Sequence, residues 1–208
     1  MSLVINTNIA SLNAQRSLAK SGAELSTAME RLSSGKKINS AADDAAGFAI
    51  AERMTAQVRG LNMATKNAND GLSMLATIEN ATNDVTDMLH RMRELAVQAA
   101  NDTNSATDRG YLQTEVTALI AEIDRVASDT KYNGTAVLDG TFTSKKLQVG
   151  TEAAQSITFS VSDVDATALA VNAADISTQA GAATALTSIS AAIETVAGQR
   201  ATYLSLIH

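Results

Sequence analysis

The sequence predicts a mainly α-helical protein: an elongated rod of long antiparallel, coiled-coil-like helices with a small β-hairpin region. Small or apolar residues recur at spacings of three and four from Met54 to Ala99, which is the pattern of a coiled-coil seam. A helix over that range would be about 69 Å long, whereas a compact globule of this chain length is only about 43 Å across. Proline is absent from the 208 residues, and 45% hydrophobic content with 18% charge is too apolar for a disordered chain.

The first helix is predicted from Ile9 to Ser34, with Gly35 as its C-terminal stop. Three leucines in it lie one heptad apart, and a methionine occupies the neighbouring seam position. This apolar stripe consists of Leu18, Leu25, Met29 and Leu32.

The long helix is predicted to begin at a capping box formed by Ser40 and Asp43 and to end near Asn101. Gly60 and Gly71 lie inside it, where each costs roughly 1 kcal/mol relative to alanine. We interpret them as places where another helix approaches closely, rather than as weak points. The seam of this helix comprises Met54, Val58, Leu61, Thr65, Ala68, Leu72, Leu75, Ile78, Thr82, Val85, Leu89, Met92, Ala96 and Ala99.

A third helix is predicted after a turn, with Ser105 and Asp108 as its cap, and its broad apolar stripe indicates that it folds back on the long helix. Beyond it, Asn133-Gly134 and Asp139-Gly140 are dipeptides typical of hairpin turns. Alternating apolar residues then predict two short strands; they are Leu147, Val149, Ile157, Phe159 and Val161. Residues 162–183 are weakly patterned, and a last helix is predicted from about Ala183 to the end of the chain.

The composition favours a structural or assembly protein over an enzyme with a ligand pocket. Aromatic residues make up 3% of the chain, and tryptophan and cysteine are absent. The histidines are His90 and His208, which cannot form a zinc-binding pair or a catalytic triad, so we predict no catalytic, cofactor or metal site. The basic residues are neither clustered nor interleaved with aromatics, which disfavours nucleic-acid binding.

Membrane insertion is not expected either. We expect no uncharged run that approaches the roughly 18 residues needed to cross a bilayer. The start of the chain, Met1 to Asn8, has no basic region ahead of a continuous apolar core, so it does not read as a cleavable signal peptide.

Whole stretches of sequence, and not only the spacing of the apolar residues, resemble bacterial flagellin, most densely from Met1 to about Gly150. Blocks of this length, in this order, are far more specific than a heptad pattern. They are INTNIASLNAQRSL at 5–18, ERLSSGKKINSAADDAAGFAIAERM at 30–54, NANDGLSMLATIENA at 67–81, MRELAVQAAN at 92–101, EIDRV at 122–126 and YNGTAVLDG at 132–140.

The resemblance implies a structural subunit that is exported through the flagellar type III channel and assembles into the extracellular filament used for motility. Its implied partners are other flagellin subunits and the flagellar axial, cap and export proteins, with no cofactor. The resemblance also implies a domain order. Residues 1–34 form the filament-lining inner helix, 35–40 a connector, and 41–150 the outer core helices with the start of the hairpin. Residues 151–182 replace variable surface domains, and 183–208 are the start of a C-terminal core helix.

One departure from the family pattern lies at the other end. In the family, a helix with a segment like Gln199-Arg200-Ala201 continues and leads to a second terminal helix that pairs with the first, whereas here the pattern is lost from Thr202 to His208. We interpret the chain as a flagellin truncated before that helix. The self-association stripe Leu18, Leu25, Met29 and Leu32 would then lack its partner, so we expect no polymerisation of this chain alone and no binding of the chaperone that grips the C-terminal segment.

The resemblance also implies a recognition site for the Toll-like receptor that senses flagellin, at Arg91, Leu95 and Glu115. Arg91 and Leu95 are one helical turn apart and therefore share a face, and Glu115 could meet Arg91 across the helix pair. The alternative is an ordinary structural salt bridge with an apolar neighbour. For the whole chain, the alternatives to a filament subunit are the related hook-filament junction protein and a helical binding or regulatory module.

Overall fold

The computed structural model describes residues 8–205 and confirms a mainly α-helical fold with a small β region. The chain divides into two compact units, one up to Arg59 and one from Gly60 onward. The described residues form helices α1 (Ile9–Ser34), α2 (Ala45–Ala99), α3 (Ala106–Asp129) and α4 (Gln179–Ser205), and strands β1 (Lys131–Tyr132), β2 (Thr135–Ala136), β3 (Lys145–Gln148) and β4 (Ser156–Phe159).

The first unit contains α1, which has the predicted bounds. Asn8 caps its N-terminus, since the Asn8 side chain accepts a hydrogen bond from the backbone N–H of Ser11 at 3.2 Å. Gly35 ends the helix in the left-handed region at φ 67°, which a residue without a Cβ adopts at no steric cost.

The start of α2 differs from the prediction. The Asp43 carboxylate accepts hydrogen bonds from the backbone N–H groups of Asn39 and Ser40, which closes a turn ahead of the helix and holds the pKa of Asp43 below its ordinary value. Asp44 caps the helix instead, because its carboxylate accepts from the Gly47 N–H at 2.9 Å. The predicted pair of Ser40 and Asp43 therefore forms the preceding turn, and α2 begins at Ala45.

The second unit is elongated. Its portion of α2, from Gly60 to Ala99, is about 60 Å long, whereas a compact globule of this unit's size is about 38 Å across. The predicted capping box at Ser105 and Asp108 is present at the start of α3. Helix α3 runs antiparallel to α2, and so does α4, whose Ala182 packs with the C-terminal part of α2 while its Tyr203 packs with Met74.

Two apolar cores hold the second unit together. The first lies between the C-terminal half of α2, α3, the segment before α4 and about the first two-thirds of α4. The second joins Met74 to Ala81 of α2 with the end of α3, the β region and Tyr203. Burial raises the pKa of the Tyr203 hydroxyl, whose oxygen accepts a hydrogen bond from the Ser162 N–H at 3.2 Å.

The two short sheets follow the predicted turns in part. Asn133 and Gly134, both with positive φ, join β1 to β2 as a tight hairpin turn. The second predicted turn, Asp139-Gly140, joins no strand pair; Gly140 has φ 73°, and the chain leads from it into a loop. The predicted β-hairpin is confirmed by strands β3 and β4, which pair antiparallel with Leu147 opposite Ile157.

The weakly patterned segment between β4 and α4 is part of the core. It has neither helix nor strand, yet α3 side chains bind its backbone: Gln113 accepts from the Ile176 N–H at 2.6 Å, and Asp124 accepts from the Ala166 N–H at 2.8 Å. Its buried residues are Val161, Val164, Ala166, Leu169, Val171, Ala174 and Ile176.

Helix α4 is the single helix of the described chain that is long and apolar enough to cross a membrane by length and composition. The expectation that no uncharged run approaches 18 residues is wrong, because residues 176–193 contain no charged side chain. The buried positions Ala182, Ala185 and Ile189 follow the three-four spacing of a core helix, and they belong to the first apolar core.

Candidate interaction surfaces

The predicted self-association stripe lies exposed on α1. Helix α1 has no buried residue, and the exposed fractions of the stripe residues lie between 62% and 86%. Because their spacing of seven, four and three keeps them within about 60° of one another around the helix, they form one continuous apolar face. The stripe residues are Leu18, Leu25, Met29 and Leu32. Large apolar side chains exposed side by side are typical of a surface that another chain covers.

The seam of α2 changes from exposed to buried along its length. Ile78, Val85 and Leu89 are fully buried. The large apolar seam residues that are exposed, with exposed fractions of 43% to 55%, are Met54, Val58, Leu61 and Leu72. Among the residues that the structure describes, other parts of the chain thus cover the seam from Leu75 onward.

A β-hairpin docks on α2 where the helix carries its internal glycines. A Cβ on Gly71 would lie 2.5 Å from a methyl carbon of Leu147, and one on Gly60 would lie 2.7 Å from a methyl carbon of Thr151. Between them, the Asn67 side-chain amide donates to the Gln148 carbonyl at 3.1 Å. Close approach at both glycines is confirmed, but the approaching element is this β-hairpin and not the predicted helix.

An apolar groove of about 200 Å³ runs between this hairpin and α2. One wall is helical and the other is formed by the two strands and the residue after β3. The lining residues are Ala68, Gly71, Leu72, Leu75, Leu147, Val149, Ile157 and Phe159.

The structure brings two of the three predicted receptor-binding residues together. Arg91 Nε donates to Glu115 Oε1 at 2.8 Å, and Arg91 Nη1 donates to Glu94 Oε2 at 3.0 Å. Glu115 first and Glu94 second raise the pKa of Arg91 above its ordinary value. Each of the three side chains is 44% to 67% exposed, so screening by water limits what these pairs contribute to stability.

Leu95 does not lie on that surface. Only 1% of it is exposed, and it packs in the first core with Met92 and Ala96. The helical spacing places Leu95 one turn from Arg91 as predicted, but the neighbouring elements cover it. A partner could therefore touch Arg91, Glu94 and Glu115, with Leu95 supporting the helix beneath them.

The polar side chains that order the segment between β4 and α4 were not predicted from the sequence. Gln113 and Asp124 of α3 lie beside the apolar stripe of that helix, and both bind backbone groups of the segment before α4. In the sequence, each is a polar residue next to the apolar stripe. A solvated edge of a helix has the same pattern, so the pattern did not distinguish the two cases. Among the described residues no group of three or more histidine, aspartate or glutamate side chains is placed to hold a metal ion. His90 is exposed on α2, and His208 lies outside the described residues.

Comparison with known proteins gives a consistent set of relatives. Residues 5–143 match the family described as the bacterial flagellin N-terminal helical region. The chain is 48% identical to flagellin A of Vibrio anguillarum over 166 residues, which are 80% of this chain and 44% of the relative. It is 47% identical to the B-type flagellin of Pseudomonas aeruginosa over 169 residues, 81% of this chain and 35% of the relative. The chain thus spans less than half the length of these curated relatives.

Solved structures give the same picture. The crystal structure of Bacillus cereus flagellin matches with a TM-score of 0.60 and 33% identity, over 68% of this chain and 82% of that one. FliC from Burkholderia pseudomallei matches with a TM-score of 0.57 over 65% of this chain and 98% of that one; at 24% identity this likeness concerns the fold alone.

Proposed function

This chain belongs to the bacterial flagellin family, and from that premise we propose that it is a structural subunit of the flagellar filament, acting by self-association and not by catalysis. The observation that carries the proposal is the exposed apolar stripe of α1, a 26-residue helix without a single buried residue. Most of the stability of a helix in a protein comes from packing of its apolar face, so a stripe of this kind gains stability when another helix covers it.

The proposal includes the route and the place of assembly. The subunit is exported through the flagellar type III channel and functions outside the cell in the filament, where it contacts other flagellin subunits and the axial and cap proteins. The relatives named above are all flagellins, which favours a filament subunit over the junction protein or a regulatory helical module.

The test uses filaments sheared from cells that make this chain beside other flagellin subunits. Mass spectrometry of the sheared fraction is expected to detect it. Leu25→Asp, which puts a charge on the stripe, should lower its amount in filaments at least tenfold, because the charge would be buried on assembly. Ala23→Asp is the matched control, since Ala23 is exposed on the opposite side of α1 and should leave the amount unchanged. A chain found in the cytoplasm and never in sheared filaments would identify a regulatory module instead.

We propose, as a second function, recognition by the Toll-like receptor that senses flagellin. The supporting observation is the exposed cluster of Arg91, Glu94 and Glu115, which two antiparallel helices hold in one place through charge-assisted hydrogen bonds. An arginine fixed by two carboxylates is preorganised, and preorganised arginines are frequent among the residues that dominate binding.

Alanine substitutions test the receptor proposal. Arg91→Ala is expected to reduce receptor activation roughly thirtyfold, because an arginine at the centre of an interface often contributes ~2 kcal/mol or more. Glu115→Ala should act in the same direction. Arg125→Ala is the control: it removes an exposed arginine that pairs with Glu122 and Asp129 along α3. Equal activation by Arg91→Ala and the parent protein, at equal helicity in circular dichroism, would contradict the proposal.

A further inference from the structure

Methionine is the side chain through which a mild oxidant can act on this chain. The sequence contains no cysteine and no tryptophan, but it contains seven methionines. A peroxide oxidises the thioether of an accessible methionine, and the sulfoxide that results is polar where the thioether was apolar. The effect of oxidation therefore depends on which methionines a peroxide can reach and on what their side chains contact.

The methionines of the described residues differ widely in exposure. Met29 of α1 is 62% exposed, the largest fraction among them, and Met54 and Met63 of α2 are each 55% exposed. Met74 and Met92 are buried in the two apolar cores. Because oxidation requires access to the sulfur, we expect Met29 to react early and Met92 to react late.

Met29 is also the methionine that belongs to the self-association stripe. Its neighbours on the stripe are Leu25, four residues before it, and Leu32, three residues after it. Both leucines are exposed, and neither side chain can donate a hydrogen bond. Since Met29 lies between them along the helix axis, a polar group at this position interrupts the apolar face within its length.

Oxidation by hydrogen peroxide adds one oxygen atom to the sulfur of Met29. The sulfur attacks one peroxide oxygen, the O–O bond breaks and an S–O bond forms, so that the sulfur gives two electrons to the peroxide. The hydroxide that leaves takes the proton of the sulfur-bound hydroxyl and becomes water. In the free chain, water solvates the new sulfoxide oxygen. When another helix covers the stripe, that oxygen loses its water among apolar side chains, which is unfavourable for a polar group without a partner.

We propose that Met29 is an oxidation site through which a peroxide controls the entry of the free subunit into the filament. The thioether allows another helix to cover the stripe, and the sulfoxide keeps the chain out until it is reduced. The modification is reversible, because methionine sulfoxide reductases restore the thioether. This inference rests on the proposed function, since it requires the stripe to be covered on assembly.

Peptide mass spectrometry of the purified chain during treatment with hydrogen peroxide measures the modification itself. We expect the sulfoxide to form at Met29 roughly tenfold faster or more than at Met92, which has no exposed surface. Equal rates of oxidation at the two sulfurs would show that Met29 is not selectively accessible and would overturn the proposal.

Co-assembly with a full-length flagellin measures the effect on the filament. The chain is treated with hydrogen peroxide, freed of it, and mixed with untreated subunits and filament seeds of that flagellin. Mass spectrometry then gives the amount of the chain in the pelleted filaments. Treatment should lower this amount roughly tenfold or more, and methionine sulfoxide reductases applied before mixing should restore it. Equal amounts from treated and untreated chain would overturn the proposal, and so would a loss that the reductases do not reverse.

Two leucine substitutions assign the effect to one sulfur. The ratio of treated to untreated amounts is compared within each variant, so that any effect of the substitution itself on assembly cancels. In Met29→Leu, which has no sulfur on the stripe, this ratio should lie within about twofold of one. Met63→Leu removes a similarly exposed methionine outside the stripe and should show the same loss as the parent chain.

The outcomes separate this inference from the proposed function. A loss in Met29→Leu as large as in the parent chain would overturn the inference alone, because another methionine would then be responsible. Absence of the untreated parent chain from the filaments would contradict the proposed function and would overturn this inference with it.

Discussion

Packing explains why Gly71, a residue type that disfavours helices, lies inside helix α2. Glycine inside a helix costs roughly 1 kcal/mol relative to alanine. At Gly71 the missing Cβ leaves room for Leu147, so that the hairpin can lie against α2. Gly110 in α3 has no neighbouring atom within 4 Å of the position of a Cβ. The same residue type therefore has two different effects in this chain.

Alanine substitution at both glycines separates these effects. Gly110→Ala should stabilise the protein by about 0.5–1 kcal/mol, through helix propensity alone. Gly71→Ala gains the same propensity but forces Leu147 to move, which costs about 1–3 kcal/mol in a packed site. We expect the free energy of unfolding of Gly71→Ala, measured in urea, to be about 1–3 kcal/mol lower than that of Gly110→Ala.

A second substitution checks the cause. In the Gly71→Ala background, Leu147→Ala should cost less than it does in the parent protein, because the clash is removed together with the side chain. Additive effects of the two substitutions would show that Leu147 is not what the added methyl group meets.

Leu95 marks the limit of residue-by-residue inference from the sequence. Its spacing from Arg91 is a local property of the helix, and the sequence places both on neighbouring positions of one face. Its burial depends on which elements pack over α2, because Met92, Leu95 and Ala96 share a core with residues more than sixty positions away along the chain. Spacing alone cannot supply that information.

Among the elements, the helices were the most predictable because their signals are local. The bounds of α1 and the capping box of α3 follow from residues a few positions apart. The segment before α4 was not predictable in the same way. It is ordered by Gln113 and Asp124, whose partners lie 42 to 63 residues away in sequence, and it repeats no hydrophobic period of its own.

The sequence predicted the seam of α2. It did not predict the position along the helix at which other parts of the chain begin to cover that seam. Its steps alternate between four and three up to Leu75, and a second three-residue step then leads to Ile78. Such an irregularity changes the face that the seam presents. It coincides with the change from the exposed Leu72 to the fully buried Ile78. A phase break in a heptad pattern is thus a sequence signal for a change of packing partner.

At the scale of the whole molecule, burial is distributed unevenly between the two units. No residue from 8 to 59 is buried, whereas the buried residues begin at Ala64 and continue to Tyr203. The stability of the fold therefore resides in the second unit, and α1 contributes apolar surface without gaining a core. The same division bears on assembly, since surfaces left uncovered in one chain are those that other chains can cover.

Hydrogen exchange and assembly of purified 1–208 protein test this division together. We expect fast exchange in α1 and slow exchange from Ile78 to Ala99, because local opening costs least where few apolar contacts hold a helix. We also expect electron microscopy after salting-out to show no ordered filaments, since the stripe containing Leu18 and Leu25 needs a partner helix for a stable wall. Slow exchange in α1 of the monomer would mean that a segment of the same chain covers the stripe. Filaments grown from this chain alone would contradict the second expectation, because copies of the chain would then supply that cover to one another.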